Sequence, residues 1–206
     1  MTSIPIRPLR PTLLSRLVRR LLRLIGWEVV GTLPDTRHWV LIGAHHTSNL
    51  DTPFMLAAAV VLGVPLSWLA KAELFRGPLA PLLRALGGIP VDRSQRTNTV
   101  QQMVELFQTR PEFYLALSPE GTRKRSEYWK SGFYHIAVGA GVPIVFGFID
   151  YRRRQVGVGP FLVPTGDIEA DMRVIRDFYE PIVPRYPDKK GSMILPEQDE
   201  RAAVKG

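Results

Sequence analysis

The chain of 206 residues carries 27 basic and 19 acidic side chains, a formal net charge of +8 at pH 7, and 45% of its residues are hydrophobic. This length and composition fit one globular domain and exclude a mostly disordered chain. Because the chain has no cysteine, a disulfide framework, a thiolate zinc site, an iron–sulfur cluster and a cysteine nucleophile are also excluded. A pI near 10.1 indicates an anionic partner: nucleic acid, a membrane surface or a phosphorylated substrate.

The basic excess lies in the first 26 residues, which contain six arginines and no acid, whereas residues 27–206 hold 21 basic and 19 acidic side chains. Within residues 13–25, arginines recur every three or four positions and leucines fill the other face, which predicts an amphipathic basic helix. The regular arginines argue against a signal peptide and a membrane span. Two interpretations stay open: a helix at a membrane interface, or a helix packed on its own domain.

Short apolar runs alternate with helical patterns along the rest of the chain. Strands are predicted at 39–44, 66–70, 89–91, 113–117, 143–150 and 155–163, and helices at 53–62, 79–86, 97–109, 132–139 and 167–182. This alternation predicts an α/β fold, a central mixed sheet covered by helices, in which the two adjacent late strands form an antiparallel edge. We divide the chain into a membrane-associating helix (1–26), a domain (27–183) and a C-terminal tail (184–206).

Residues 52–70 carry no charge over 19 positions, the borderline length for a membrane span. Gly63 and Pro65 interrupt this stretch, so we expect a buried helix, N-capped by Thr52, followed by a strand.

The turn after the first predicted strand holds His46 and Asp51, with four residues between them. Residues five positions apart lie about 140° from each other around a continuous helix, so the two side chains would not share a helical face. They can meet if His46 lies in a turn and Asp51 in the first turn of the next helix. The carboxylate would then hold one imidazole nitrogen, and the other could take a proton from a hydroxyl. Ser48 could cap that helix or add a hydrogen bond.

A second polar turn, residues 118–123 with the sequence Ser-Pro-Glu-Gly-Thr-Arg, follows another apolar strand. Arginine in such a turn can hold a phosphate while glutamate orients the arginine or a hydroxyl, and glycine lets the backbone approach a ligand closely. Taken singly, each of these two patterns also fits an ordinary loop.

Together with two further blocks, these residues resemble the glycerolipid acyltransferases of the 1-acylglycerol-3-phosphate O-acyltransferase (PlsC-like) superfamily. Residues 46–51 match that family's His-x-Ser-x-x-Asp block, and residues 118–123 match its Phe-Pro-Glu-Gly-Thr-Arg block. Residues 71–75 with 87–93, and residues 142–145 (Val-Pro-Ile-Val), resemble its other two blocks. The resemblance spans about residues 39–150.

The resemblance implies an α/β fold with a cationic cleft beside an apolar acyl groove. His46 would be the general base and Asp51 would hold it, so that an acceptor hydroxyl attacks an acyl thioester directly, without an acyl-enzyme. The residues expected to hold the acceptor's phosphate or head group are Glu120, Gly121, Thr122, Arg123, Arg93 and Lys71, supported by Ser48 and Pro119. No metal or cofactor is needed. The co-substrate would be acyl-CoA or acyl carrier protein, and the acceptor a lysophospholipid, foremost 1-acylglycerol-3-phosphate.

The sequence departs from the family's pattern beside the acceptor site. His45 stands where asparagine is common, Ser118 where phenylalanine is common, and Lys124-Arg125 where serine is common. These changes leave the acceptor open, with another lysophospholipid or an amino-acid lipid as alternatives.

From the basic helix we predict a cytoplasmic protein that associates peripherally with the inner face of the cell membrane. Its partner there would be the anionic membrane surface. Nucleic acid is not expected, because the charge is concentrated on one helix and not spread across a face. A metallohydrolase using His45, His46 and Asp51 would lack enough further ligands. A non-catalytic membrane-binding protein is the remaining alternative from another class.

Overall fold

The structure is a computed structural model that describes Pro5, residues 11–91 and residues 96–199, the last range without the side chains of 96–98. Within these residues, the strands are β1 Glu28–Val30, β2 His38–Gly43, β3 Ser67–Lys71, β4 Gly88–Val91, β5 Phe113–Leu117, β6 Ile144–Asp150 and β7 Gln155–Leu162. The helices are α1 Leu13–Leu24, α2 Asp51–Leu62, α3 Ala80–Ala85, α4 Arg96–Thr109, α5 Gly132–Ala140 and α6 Ile168–Tyr179.

The strands form one mixed sheet in the order β1-β7-β6-β2-β5-β3-β4. Strand β2 lies parallel to both its neighbours, β5 and β6, and β3 is parallel to β5 and β4. The carboxyl ends of these strands therefore meet at one edge of the sheet, which is where α/β proteins commonly bind ligands. Both polar turns singled out in the sequence leave the sheet at this edge.

Helices cover both faces of the sheet, and successive residues of β2 point alternately into two cores. Trp39 and Leu41 face the core beneath α1 and α2. Val40 and Ile42 face the core beneath α4, α5 and α6. The predicted α/β architecture is confirmed, and the uncharged stretch 52–70 forms a buried helix followed by a strand, as expected.

Three local expectations differ from the structure. The short strand β1 pairs with β7, so the antiparallel β6–β7 pair does not form the edge of the sheet. A 3₁₀ turn over Ala72–Arg76 was not expected. The proposed N-cap, Thr52, is wrong: α2 begins at Asp51, two residues before the predicted start, and its cap is Leu50, which makes no side-chain hydrogen bond. Asp51 itself organises this helix start, because its carboxylate accepts hydrogen bonds from the preceding turn.

Helix α1 forms as predicted and begins at Thr12, whose side chain accepts a hydrogen bond of 3.1 Å from the Ser15 N–H. Only a narrow stripe of the helix is covered: Leu22 is buried and Val18 packs against the same core. The larger apolar surface faces outward, with Leu13 83% and Leu24 82% exposed. In the part of the chain that the structure describes, no helix is both long and apolar enough to cross a membrane.

The segment that follows α6, as far as residue 199, lies on the domain as an extended arm. Met193 and Leu195 are buried in the core beneath α4 to α6. The backbone N–H of Trp129 donates to the Ile194 carbonyl at 2.9 Å. His135 Nε2 lies 3.1 Å from a Glu197 carboxylate oxygen. The arm therefore completes one core of the domain as far as residue 199.

Candidate active site

Asp51 is the centre of the turn that joins β2 to α2. One carboxylate oxygen, Oδ2, accepts the backbone N–H groups of Thr47 at 2.9 Å and Ser48 at 2.8 Å. The same oxygen lies 3.2 Å from Nδ1 of His46. Because the residue is only 1% exposed, the carboxylate is held by these groups and not by solvent. The structure thus brings together the two residues that the sequence pairs across a turn.

His46 is partly accessible, with 19% of its side chain exposed. Since Nδ1 faces the carboxylate, Nε2 is the nitrogen that can take a proton from a ligand. Burial alone would raise the pKa of Asp51, but hydrogen bonds from His46, Tyr151 and the Ser48 backbone outweigh burial and hold this pKa below its ordinary value. The Asp51 carboxylate is therefore ionised whether the imidazole beside it is neutral or protonated.

Tyr151 is a third member of this group that the sequence reasoning missed. Its hydroxyl donates a 2.7 Å hydrogen bond to Oδ1 of Asp51. Tyr151 directly follows β6, and the register that aligns Gly43 with Gly147 places it level with the turn containing His46. The sequence does place a tyrosine at the carboxyl end of a predicted strand. This position indicates a site residue only once that strand is known to be the neighbour of β2.

Glu120 lies beneath the same turn and is 5% exposed. Its Oε2 accepts the backbone N–H of His46 at 2.7 Å, and Oε1 lies 3.2 Å from Nδ1 of His45. The sequence interpretation assigned Glu120 to substrate binding; in the structure, both of its oxygens contact residues 45 and 46. His45 is buried as well, so a contact between the two sequence motifs fixes the backbone around His46.

Arg123 is exposed and donates a hydrogen bond to the side-chain oxygen of Asn49, in the turn after His46. Gly121 has a φ of 62°, in the left-handed region that favours glycine. The exposed Thr122 accepts the Lys124 N–H at 3.2 Å. This loop therefore presents its cation beside the His46 turn.

The two supporting residues make local backbone contacts. The Ser48 hydroxyl accepts the Leu50 N–H at 3.2 Å, and the Pro119 carbonyl accepts the Lys130 N–H at 2.7 Å. Lys71 is exposed at the end of β3, at the same edge of the sheet. Arg93 lies outside the described residues.

A cavity extends from His46 and Asp51 between α2 and the sheet, with about 550 Å³ of empty space when its solvent-open part is included. Its other walls are almost entirely apolar and come from α2, β2, β6 and β7, among them Trp39, Met55, Leu62, Ile149 and Val158. Among the described residues, no three histidine, aspartate or glutamate side chains are grouped as a metal site would need. The site is thus an imidazole–carboxylate pair at one end of a hydrophobic cavity, with a cationic loop nearby.

The sequence matches the family model described as Acyltransferase over residues 27–146, which is more than half of the chain. The chain therefore belongs to the acyltransferase family, and the PlsC-like resemblance is confirmed.

Relatives give the same assignment. The chain is 33% identical over 109 residues to the 1-acyl-sn-glycerol-3-phosphate acyltransferase of Escherichia coli K12, a stretch covering 50% of this chain and 43% of that protein. The Salmonella typhimurium enzyme of the same name matches equally. The chain thus matches less than half the length of these relatives. The crystal structure of the 1-acyl-sn-glycerophosphate acyltransferase PlsC from Thermotoga maritima shares the fold, with a TM-score of 0.56, 20% identity, and coverage of 80% of this chain and 74% of that one.

Proposed function

We propose that this protein is an O-acyltransferase that moves a fatty acyl group from an acyl thioester to a hydroxyl of a lysophospholipid, most directly 1-acylglycerol-3-phosphate. The observation that carries the proposal is the His46–Asp51 contact at 3.2 Å at one end of an apolar cavity. The names of the relatives support the acceptor class.

In the proposed reaction, Nε2 of His46 takes the proton from the acceptor hydroxyl while the hydroxyl oxygen attacks the thioester carbonyl carbon. Collapse of the tetrahedral adduct breaks the carbon–sulfur bond, and the leaving thiolate receives the proton from the imidazolium. Asp51 keeps Nδ1 facing the carboxylate and stabilises the imidazolium in between. The nucleophile is the substrate's own hydroxyl, so the mechanism needs no serine or cysteine of the enzyme.

The cavity behind the pair is the proposed site of the acyl chain. An alkyl chain there would exchange water for apolar side chains of α2 and the sheet, which is favourable in proportion to the area buried. The thioester at its head would then lie near His46. The donor is a thioester of coenzyme A or of acyl carrier protein.

Arg123 is the proposed contact of the acceptor's phosphate, because it is an exposed cation tied through Asn49 to the His46 turn. Lys71 at the same sheet edge, together with Arg93, Gly121 and Thr122, is proposed to assist it. Glu120 is better assigned to holding the turn around His46, since one of its oxygens accepts the His46 N–H and the other contacts the His45 ring.

The exposed leucines of α1, flanked by arginines, support peripheral association with an anionic membrane surface. We place that surface on the cytoplasmic side of the cell membrane, where the acceptor lipid would be reached. The division of the chain into this helix, the domain and the C-terminal segment belongs to the same proposal.

The experiment is a panel of acceptors against both donors. The acceptors are 1-acylglycerol-3-phosphate, a lysophospholipid with a larger head group, an amino-acid lipid and a monoacylglycerol without phosphate. We expect transfer to phosphate-bearing acceptors, and we expect Arg123→Ala to raise the acceptor's KM by roughly tenfold with little change in the donor's KM. Arg37→Ala, which changes an exposed arginine just before β2 at the opposite edge of the sheet, is the matched control. No transfer to any acceptor from either donor would contradict the proposal.

A further inference from the structure

We infer that Tyr151 is a positioning residue for the His46–Asp51 pair, and that its hydroxyl fixes the rotation of the Asp51 carboxylate. The inference rests on the proposed acyl transfer at His46. It assigns a role to a residue outside the sequence blocks that indicate the family.

The two oxygens of Asp51 have separate sets of donors. Oδ2 is used by the backbone of Thr47 and Ser48 and faces His46, whereas Oδ1 accepts the hydroxyl of Tyr151 at 2.7 Å. The terminal torsion of an aspartate is soft, so a carboxylate can turn unless both ends are held. Tyr151 holds the end opposite the imidazole, and this keeps Oδ2 directed at Nδ1.

Tyr151 is itself held from several parts of the chain. Its backbone N–H donates to the Val183 carbonyl at 2.9 Å. The ring of Trp27, which follows α1, meets it edge-on at 5.1 Å and 86°, and Phe54 of α2 lies 6.3 Å away. The guanidinium of Arg185 lies 5.9 Å from the ring centre. A hydroxyl placed by four contacts is suited to orienting another group.

The ionisation of both groups is consistent with a permanent hydrogen bond. Burial, and then the bond to Asp51, raises the pKa of Tyr151 well above its ordinary value. The phenol therefore stays a donor, and the Asp51 carboxylate an acceptor, throughout the neutral pH range.

The same chain offers a matched control. Tyr134 donates a 2.8 Å hydrogen bond to Oδ2 of Asp171, and both residues are buried between α5 and α6. This bond has the same chemistry as the Tyr151–Asp51 bond but lies apart from the cavity and the His46 turn. Tyr134→Phe therefore removes a comparable tyrosine–carboxylate bond without touching the proposed site.

The test compares Tyr151→Phe with Tyr134→Phe at a temperature where circular dichroism shows both variants folded. We expect Tyr151→Phe to lower kcat roughly tenfold to a hundredfold, with the KM of both substrates unchanged, because the ring and its packing remain. Tyr134→Phe should keep the wild-type kcat. In an Asp51→Asn background, adding Tyr151→Phe should change the residual kcat by less than about twofold, because its route of action is already removed.

A nuclear magnetic resonance measurement separates this inference from the proposed function. The imidazole nitrogen signals of His46 should move in Tyr151→Phe and stay in place in Tyr134→Phe. A wild-type protein without transfer activity would refute the proposed function, while these signals would still test the positioning. Three results would each overturn the inference. They are a wild-type kcat in Tyr151→Phe, a fall in kcat on adding Tyr151→Phe to Asp51→Asn as large as in the wild-type background, and His46 signals that do not move.

Discussion

At the scale of single residues, the proposed chemistry depends on how one buried carboxylate distributes its hydrogen bonds. The Asp51 carboxylate accepts hydrogen bonds from two backbone N–H groups and from a tyrosine hydroxyl, and it also contacts the His46 imidazole. An anion buried without such partners would cost several kcal/mol. The positive end of the α2 dipole lies at this residue and further stabilises the negative charge of the carboxylate. The fold thus keeps an ionised group beside a histidine whose other nitrogen can reach a substrate.

The pH dependence of the reaction follows from this arrangement. The pKa of Asp51 lies below its ordinary value of 3.8, so Asp51 carries its charge at every pH above that value. Protonation of Asp51 should therefore contribute nothing to a loss of kcat above pH 3.8, and the Asp51 carboxyl signal in a nuclear magnetic resonance titration should show no midpoint above that pH. A midpoint above pH 3.8 would show that the carboxylate is not ionised as described.

The residues of the site differ in how far the sequence could predict them. His46 and Asp51 are close in the chain, and strand–turn–helix geometry is enough to expect their contact. Tyr151 is 100 positions from Asp51 and meets it only because β6 is the neighbour of β2. The engagement of Glu120 with His45 and His46 likewise needs the pairing of β2 with β5.

At the scale of elements, the strong periodic patterns predicted their helices and strands, and the failures have local causes. Strand β1 is only three residues long and gains its partners from β7, which no local pattern signals. The predicted start of α2 was wrong because the residue that organises the helix start is Asp51 and not a serine or threonine cap. The Asp51 carboxylate lies in the first turn of α2 and accepts the backbone N–H groups of the preceding turn. Helix α1 packs a narrow apolar stripe on the domain and leaves a broader apolar stripe exposed.

The broad stripe of α1 leads to a prediction about membrane binding. Replacing the exposed Leu17 and Leu21 together with glutamine should weaken flotation with phosphatidylglycerol vesicles at least about tenfold, because two leucines would no longer enter the acyl region. Phosphatidylcholine vesicles should bind the wild type less, since they carry no net charge for the arginines.

The matched control replaces Val138 and Val174, similarly exposed valines on the helices of the opposite face. That variant should float like the wild type. Unchanged flotation of the leucine variant would exclude α1 as the membrane contact, and a thermal midpoint lowered far below that of the valine control would assign the exposed leucines to packing instead.

At the scale of the whole molecule, the net charge of +8 divides into two parts with different positions. Arginines of α1 lie beside its exposed leucines, and the cationic loop with Arg123 lies at the carboxyl edge of the sheet next to His46. The first part suits a membrane surface and the second an anionic acceptor. The parallel strands β2, β5 and β6 bring the polar turns together, and α2 closes the apolar cavity behind them.

The central claim, acyl transfer driven by His46, is tested most directly by comparing variants of two histidines, one in the turn after β2 and one at the start of β2. His46→Ala removes the proposed base, whereas His38→Ala removes a histidine at the amino end of β2, where its Nε2 lies 2.9 Å from the Arg110 carbonyl oxygen and its ring packs edge-on against Phe107. In transfer from an acyl thioester to 1-acylglycerol-3-phosphate, His46→Ala should lower kcat/KM by roughly a thousandfold or more, and His38→Ala should remain near wild type. Substantial transfer by a folded His46→Ala protein would contradict the account.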